Sequence, residues 1–435
     1  MAVKIIMGLQ YGDEGKGRVT HYEAQNASIV VRSTGGANAG HTVVANAKEY
    51  VTHLLPSAII RPNVLSMIAP GVVADISVLS EEIQTMRDAG VKITKENFVI
   101  SQRTQITLPH HKHQDRLEEL LKDKKVGTTM RGIGPTYEDK AKRTNPRMWE
   151  LLQDDDKLWH TLDENLRSYN ILASGVNAMI QNGKYSGEEE FPIISTDAEF
   201  EYCKKYRKML KPFIANTQPI LHAAIENEEE IIIEGAQSFW LDNDQGTYPM
   251  TTSSNPNASG TASGAGIGPT LISEVIGVIK AYTSRVGNGV FVTEQNNEIG
   301  STIRDLGHEY GSTTGRPRRC GWLDLMMVKS TKNPNGLTGL CVNHLDTIGK
   351  LDKIKVCIAY NYKGRILDDE VPIDIENCKP IYKEFEGGWN TDGAKTFAEL
   401  PEKAQRYIEF IEEYTGVPVQ YIGIGADAEK TIIRW

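Results

Sequence analysis

Positive charge, cysteine and long apolar runs are all in short supply. Against 57 Asp and Glu the 435-residue chain carries 48 Lys and Arg, a formal net charge of −9. That balance argues against wholesale nucleic-acid binding and leaves room only for a local basic patch that holds phosphate. The five cysteines (Cys203, Cys320, Cys341, Cys357, Cys378) lie far apart with no CxxC pair, and Cys341 and Cys357 fall inside apolar runs. They read as buried thiols of a reducing compartment. No window approaches the roughly 18 uninterrupted apolar residues of a membrane span, and residues 1–8 turn polar too quickly for a secretory signal. The expectation is a soluble, cytoplasmic protein that engages neither membrane nor nucleic acid. Internal repeats, low-complexity tracts and Pro/Ser-rich linkers are missing as well, so residues 1–435 read as one elaborated domain. What is present, 40% hydrophobic and 24% charged residues, is globular composition in a chain long enough to bury a large core.

Short apolar runs alternate with amphipathic stretches along the whole length, the signature of an α/β fold. Strands are expected at 4–8, 28–33, 64–68, 231–234, 289–293, 337–343, 353–360 and 419–424. A helix is expected from an Asp75 N-cap to Gly90, with Ile76, Leu79, Ile83 and Met86 on one face. Two more are expected at 114–125 and 270–282, and the charge-rich stretch of about 142–206 reads as a helical subdomain packed on the sheet.

The first strand runs into Gly8-Leu-Gln-Tyr-Gly12-Asp13-Glu14-Gly15-Lys16-Gly17. Glycines let consecutive backbone N–H groups approach an anion, and Lys16 adds a point charge, so this turn binds phosphate. Four glycines packed with Asp13 and Lys16 set it apart from an ordinary tight turn. It departs from the usual P-loop, which places Ser or Thr after the lysine as a Mg²⁺ ligand. Gly17 stands there, so a metal needs another hard oxygen, and Asp13 supplies a carboxylate.

A second turn, Gly35-Gly36-Ala37-Asn38-Ala39-Gly40-His41, surrounds one imidazole with small residues. A protonated His41 would stabilise charge on a leaving phosphate, although a lone histidine also fits a structural role. Asn343-His344-Leu345-Asp346 follows a strand and resembles the Asn-Lys-x-Asp element of GTPases, with His344 in place of lysine. Guanine has adjacent donors, N1–H and the 2-amino group, and one fixed carboxylate accepts both. Thr313-Thr314-Gly315-Arg316-Pro317-Arg318-Arg319 offers arginines and hydroxyls that grip carboxylates or phosphates. Gly264-Ala-Gly266-Ile-Gly268 looks like a dinucleotide fingerprint, but polar residues 251–259 precede it where a strand would be required, so NAD is rejected. His110-His111-Lys112-His113 could bind a transition metal; Pro109 ahead of it favours a solvated helix start.

These turns, in this order, resemble the adenylosuccinate synthetase family, ligases that join IMP and aspartate at the expense of GTP. The resemblance runs from Gly8 to Ile432 and includes Gly12-Asp-Glu-Gly-Lys-Gly17, Asn38-Ala-Gly-His41, Arg131-Gly-Ile-Gly-Pro135, Glu234-Gly-Ala-Gln237, Thr252-Ser-Ser-Asn255 and Thr313-Thr-Gly-Arg316. It implies an α/β fold with a large, mostly parallel central sheet flanked by helices, and P-loop-like nucleotide-binding architecture with helical insertions. It implies that Asp13 takes the N1 proton of IMP and binds Mg²⁺ together with the Gly40 carbonyl. His41 acts as acid beside the donor's β-phosphate, and Lys16 and Gln237 complete the catalytic set. Asn38, Thr129, Gln237, Leu241, Thr252, Val286 and Arg316 line the IMP site, and Arg143 reaches the IMP phosphate from the other subunit of a homodimer. Thr313, Thr314 and Arg316 hold L-aspartate. Gly12, Gly15, Lys16, Gly17, Arg318, His344, Asp346, Gly423 and Gly425 belong to the GTP side.

Departures from the family pattern open a second reading. His344 replaces a lysine, His21 an acidic residue, Tyr11 a tryptophan and Ala37 a polar residue, the last three expected at the rim of the substrate pocket. Similar viral enzymes act on dGMP to make 2-aminoadenylosuccinate, with ATP as a possible donor, but they typically lose the catalytic carboxylate that Asp13 retains here. A GTP-binding switch without ligase chemistry also fits the phosphate loop and Asn-x-x-Asp. It leaves the 38–41 turn, Gln237 and the Thr313–Arg316 cluster unexplained.

Overall fold

The computed structural model describes residues 3–45, 48–185, 187–311 and 315–434. Ten strands form the central sheet: β1 (Val3–Gly8), β2 (Ile29–Arg32), β3 (Leu65–Ile68), β4 (Phe98–Ser101), β5 (Ile214–Ala215), β6 (Ile231–Ser238), β7 (Glu274–Lys280), β8 (Gly339–Asn343), β9 (Val419–Gly423) and β10 (Thr431–Ile433). Their spatial order is β10-β9-β8-β7-β1-β6-β2-β3-β4-β5. All pairings are parallel except the antiparallel β9–β10 edge. Parallel strands covered on both faces read as unbroken apolar runs. Accordingly, every residue of β2 and β6 is buried, and in the middle of the sheet Ile5 lies between Ile233 and Val275. The large, mostly parallel sheet flanked by helices is thus the architecture the resemblance implied.

Six helices matter for the site: α1 (Lys16–Glu23), α2 (Ile76–Asp88), α3 (Pro109–Leu121), α4 (Ile133–Lys142), α5 (Asp155–Gln181) and α6 (Thr196–Leu210). Helix α2 starts as expected, with the Asp75 carboxylate accepting hydrogen bonds from the Ser77 and Val78 amides at 3.0 and 3.3 Å. Between them α3 and α5 build a small core of their own around Leu117, Leu166, Tyr169 and Phe191. Among the described residues no helix is long and apolar enough to cross a membrane. Cys203, Cys320, Cys341 and Cys357 are buried free thiols, and Cys378 is half-buried.

Three sequence expectations are corrected. Residues 270–282 are not a helix: a 3-10 turn at Pro269–Leu271 leads into strand β7. Four β-branched residues there, Val275, Ile276, Val278 and Ile279, favour a strand. Gly277 faces Leu9 so closely that a Cβ would come within 2.4 Å of its Cδ1. Residues 289–293 are loop, the nearby strand being Thr283–Arg285. The third helix begins at Pro109, and its start is not solvated, because His110 and His111 are fully buried. His110 Nδ1 pairs with Glu199 and His111 Nε2 with Asp139, at 3.1 and 3.2 Å.

Candidate active site

The carboxyl ends of the central strands open into a single cleft of about 1690 Å³. Pockets for one small ligand run to about 1,000 Å³, so this cleft has room for more than one. It lies where the strand order reverses about β1, the position at which doubly wound sheets bind ligands.

The glycine loop closes one end of it. Gly12, Asp13 and Gly15 take left-handed φ values of 99, 60 and 86°, which turn the chain sharply enough for α1 to begin at Lys16. A Cβ on Gly17 would come within 2.9 Å of the His41 Cβ, so the loop and the second turn pack without space for a side chain. The loop is organised by Glu14, a residue the sequence reading passed over. Its buried carboxylate accepts from the Gln10 and Gly12 amides, from Ser238 Oγ and from Lys16 Nζ, at 3.1, 2.8, 2.6 and 2.8 Å. Burial alone would raise the Glu14 pKa, but Lys16, Ser238 and the Gly12 amide together outweigh it and the net shift is downward.

His41 is held just as firmly. Its Nδ1 hydrogen-bonds Glu234, whose carboxylate also accepts from the Ser57 amide and hydroxyl at 2.9 and 2.5 Å. Arg32, buried at the end of β2, lies 3.0 Å from the imidazole. Burial, reinforced by Arg32, pushes the His41 pKa below its ordinary value. Burial would raise Glu234, yet His41 and the permanently charged Arg32 hold it at about 2. The resting pair is therefore a carboxylate and a neutral imidazole carrying its hydrogen on Nδ1.

Asp13 projects into the cleft with its side chain 31% exposed, and Oδ2 lies 2.8 Å from Arg318 Nε. Oδ1 has no protein partner among the described residues. With Gly40 lining the same cleft, two hard oxygen donors are available to a divalent cation. Arg318 in turn donates to Glu309 at 2.9 Å, and Glu309 accepts from Tyr282 at 2.6 Å and pairs with Lys280.

On the opposite wall Gln237 donates to Asn38 Oδ1 at 3.0 Å and accepts from Ser254 at 3.2 Å. Thr129, Leu241, Thr252 and Val286 line this side. Arg285, also passed over in the sequence, is buried under it and stacks 4.1 Å from the Tyr11 ring centroid. At the end of β8, Asn343 ties down the loop by donating to the Glu14 carbonyl at 2.7 Å, while His344, Asp346 and Gly425 face the cleft.

The cleft thus gathers Gly12, Asp13, Gly15, Lys16, Gly17, Asn38, Gly40, His41, Thr129, Gln237, Leu241, Thr252, Val286, Arg318, His344, Asp346 and Gly425. Three further candidates do not line it. Arg143 and Arg316 are exposed, the former at the end of α4, and Gly423 ends β9 against Asn343. Thr313 and Thr314 lie outside the described residues. Of the expected rim substitutions only Tyr11 lines the cleft. His21 is buried within α1, where Arg61 donates to its carbonyl, and Ala37 packs into the core with Leu54 and Ile59. What the sequence did offer for the missed residues was a charge ending an apolar run: Arg32 in β2, Glu234 in β6 and Lys280 in β7. In a parallel sheet that position points to the carboxyl-end crevice.

His110, His111 and Asp139 approach one another closely enough to suggest a metal site. The hydrogen bonds exclude His111 as a ligand. Its Nδ1 accepts from the Leu108 amide at 2.9 Å, so Nε2 carries the hydrogen given to Asp139 and has no lone pair to offer.

The chain resembles known proteins along nearly its whole length. Residues 5–432 match the profile of the adenylosuccinate synthetase family. The chain is 46% identical to the adenylosuccinate synthetase of Acetivibrio thermocellus over all of both chains, and 42% identical to that of Clostridium perfringens over 99% of each. Among solved structures, fully ligated adenylosuccinate synthetase from Plasmodium falciparum superposes with a TM-score of 0.89 at 34% identity, covering all of both chains. The cyanophage S-2L succinoaminodeoxyadenylate synthetase, bound to dGMP and to dATP as an energy donor, shares the fold at a TM-score of 0.61 and 15% identity, covering 99% of this chain and 95% of its own.

Proposed function

The chain belongs to the adenylosuccinate synthetase family of ligases, and on that premise we propose that it joins IMP to L-aspartate with GTP, through 6-phosphoryl-IMP, in the AMP branch of purine biosynthesis. The observation that carries this reading is the convergence of the glycine loop, Asp13, His41 and Gln237 on one cleft. Identities of 42 and 46% to adenylosuccinate synthetases, against 15% to the phage enzyme, favour IMP over dGMP.

Asp13 accepts the N1 proton of IMP, and the electron pair moves to O6. That oxygen attacks the γ-phosphorus of GTP, and the bond to GDP breaks. Lys16, anchored by Glu14, and His41, held by Glu234, meet the charge that develops on the departing β-phosphate. Incoming phosphate charge favours the protonated form of His41, which burial and Arg32 disfavour in the free protein. The aspartate amine then adds at C6 and inorganic phosphate leaves, because a phosphorylated oxygen departs where a carbonyl oxygen cannot. Mg²⁺, for which Asp13 and the Gly40 carbonyl supply hard oxygens, neutralises phosphate charge when bound.

In the same proposal Asn38, Thr129, Gln237, Leu241, Thr252, Val286 and Arg316 hold IMP, and Thr313, Thr314 and Arg316 hold aspartate. Gly12, Gly15, Lys16, Gly17, Arg318, His344, Asp346, Gly423 and Gly425 serve GTP. Arg143, exposed at the end of α4, reaches the substrate phosphate of its partner in a homodimer. The chain acts in the cytoplasm as one domain, with residues of about 142–206 as a helical subdomain.

Phosphate release separates this reading from a GTP-binding switch. It should require IMP and aspartate together; release that depends on neither would contradict the ligase assignment.

A further inference from the structure

Arg285 ends the short strand Thr283–Arg285, next to Val286 on the substrate wall of the cleft. Its side chain is buried beneath that wall and ties three segments of chain together. Nη1 donates to the Val290 carbonyl at 2.8 Å, and Nη2 donates to Thr247 Oγ1 and to the Met250 carbonyl, each at 3.2 Å. The third segment is the glycine loop, whose Tyr11 ring lies against the guanidinium. A Cβ on Gly289, where φ is 111°, would come within 2.3 Å of Nη2, so the chain closes round the guanidinium with no spare room.

Each tie ends close to a residue assigned above to IMP or to phosphate. The turn from Thr247 to Met250 leads to Thr252, whose amide donates to the Leu241 carbonyl at 2.8 Å. Val290 closes the loop that begins at Val286, and Tyr11 directly precedes Gly12.

Charge sets Arg285 apart from a simple brace. Any neutral donor can hold two carbonyls and a hydroxyl, and a buried cation without a counterion is costly. Among the described residues no carboxylate pairs with Arg285; Glu294, on the nearby loop, pairs with Arg319 instead. The buried Nε likewise has no hydrogen-bond partner among the described residues. Only the face of the Tyr11 ring meets the charge. An anion in the cleft above is the compensation that the fold does not provide.

We propose that Arg285 is a positioning residue for IMP, fixing the spacing of Leu241, Thr252 and Val286 and holding a positive charge beneath the wall on which the anionic nucleotide lies. It touches none of the reacting atoms. The inference rests on the IMP site assigned above and adds to it a residue to which the family resemblance gives no part.

Titration calorimetry with IMP, and with GDP as the donor-side control, tests this without turnover. Arg285→Gln keeps neutral donors and removes the charge; IMP should bind about tenfold more weakly while GDP affinity stays within about threefold of wild type. Arg285→Lys restores the charge without the planar fork and should recover part of the loss. Low-millimolar guanidinium chloride added to Arg285→Ala should tighten IMP at least about threefold, which an equal concentration of sodium chloride should not do. Thr247→Val, which removes one tie at the edge of the network, should weaken IMP about threefold and keeps the inference open to test even if the Arg285 variants fail to fold. IMP affinity within about twofold of wild type in a folded Arg285→Gln protein, or in Thr247→Val, would overturn the inference, as would equal losses for IMP and GDP. Wild type that binds GDP but not IMP would overturn the IMP-site reading, and this inference with it.

Discussion

Three buried carboxylates do most of the positioning in the cleft, and each fixes the state of a more visible neighbour. Glu14 anchors Lys16, Glu234 anchors His41, and Glu309 joins Lys280, Tyr282 and Arg318. Glu82 caps the chain behind them, accepting from the His53, Leu54 and Leu55 amides. Removing one partner of a buried pair leaves an uncompensated charge and costs about 3–5 kcal/mol. Glu14→Ala should therefore lower stability by that amount in urea unfolding, with Lys16→Met on the same background recovering much of it; a Glu14→Ala loss under about 1 kcal/mol would contradict the anchoring role. Asp13→Ala and His41→Asn should each abolish turnover while leaving the fold intact. Activity within about tenfold of wild type in either would refute its assigned part in the reaction. Asp13, Lys16 and His41 were legible in the sequence because glycines mark where backbone closes on a ligand. Glu14 and Glu309 were not, since nothing in a local pattern separates a carboxylate that faces solvent from one that holds a buried cation.

At the scale of elements, α3 works as a clamp on the substrate side. Asp115 and Glu119 stand one turn apart on one face of it. Asp115 accepts from Thr128 Oγ1 at 2.7 Å and the Gly132 amide at 2.9 Å, and Glu119 accepts from the Gly127 amide at 2.6 Å. Thr129 is thereby held from both ends of its loop. Asp115→Asn should raise KM for IMP about tenfold while KM for GTP stays within about twofold; equal effects on both would point to general loosening. The start of α3 was readable, since a proline at the first turn loses nothing by its missing N–H, but its burial was not, because the partners of His110 and His111, Glu199 and Asp139, come from other helices. Strand β7 shows the converse difficulty. Its 3- and 4-residue apolar spacing fits a helix, and only the sheet on both sides decides otherwise. The Asp75-capped helix and most of the central strands were legible because cap chemistry and two-sided burial leave direct marks in sequence.

For the whole molecule, buried histidines tie stability to pH. Burial, reinforced by His110, pushes His111 down to about 4, and burial with Arg61 pushes His21 to about 4. A histidine with a depressed folded pKa binds its proton more readily when unfolded. Its contribution is complete above about pH 6.5 and is lost as pH falls towards about 4. Fully buried, His111 should account for about 2 kcal/mol of that loss by about pH 5. Urea midpoints of wild type and His111→Gln, compared at about pH 7.5 and about pH 5, check this; parallel losses in the two proteins would contradict it. Assembly has its own test. If Arg143 serves the neighbouring site, mixing inactive Arg143→Ala with inactive Asp13→Ala should restore about one quarter of wild-type activity, whereas strictly separate sites would restore none. The central claim, that this cleft phosphorylates IMP from GTP and joins it to aspartate, is tested most directly by product mass after incubation with aspartate, Mg²⁺, GTP or ATP, and IMP or dGMP. Adenylosuccinate formed from IMP with GTP is the predicted result; 2-aminoadenylosuccinate from dGMP, or equal yields with ATP, would contradict it.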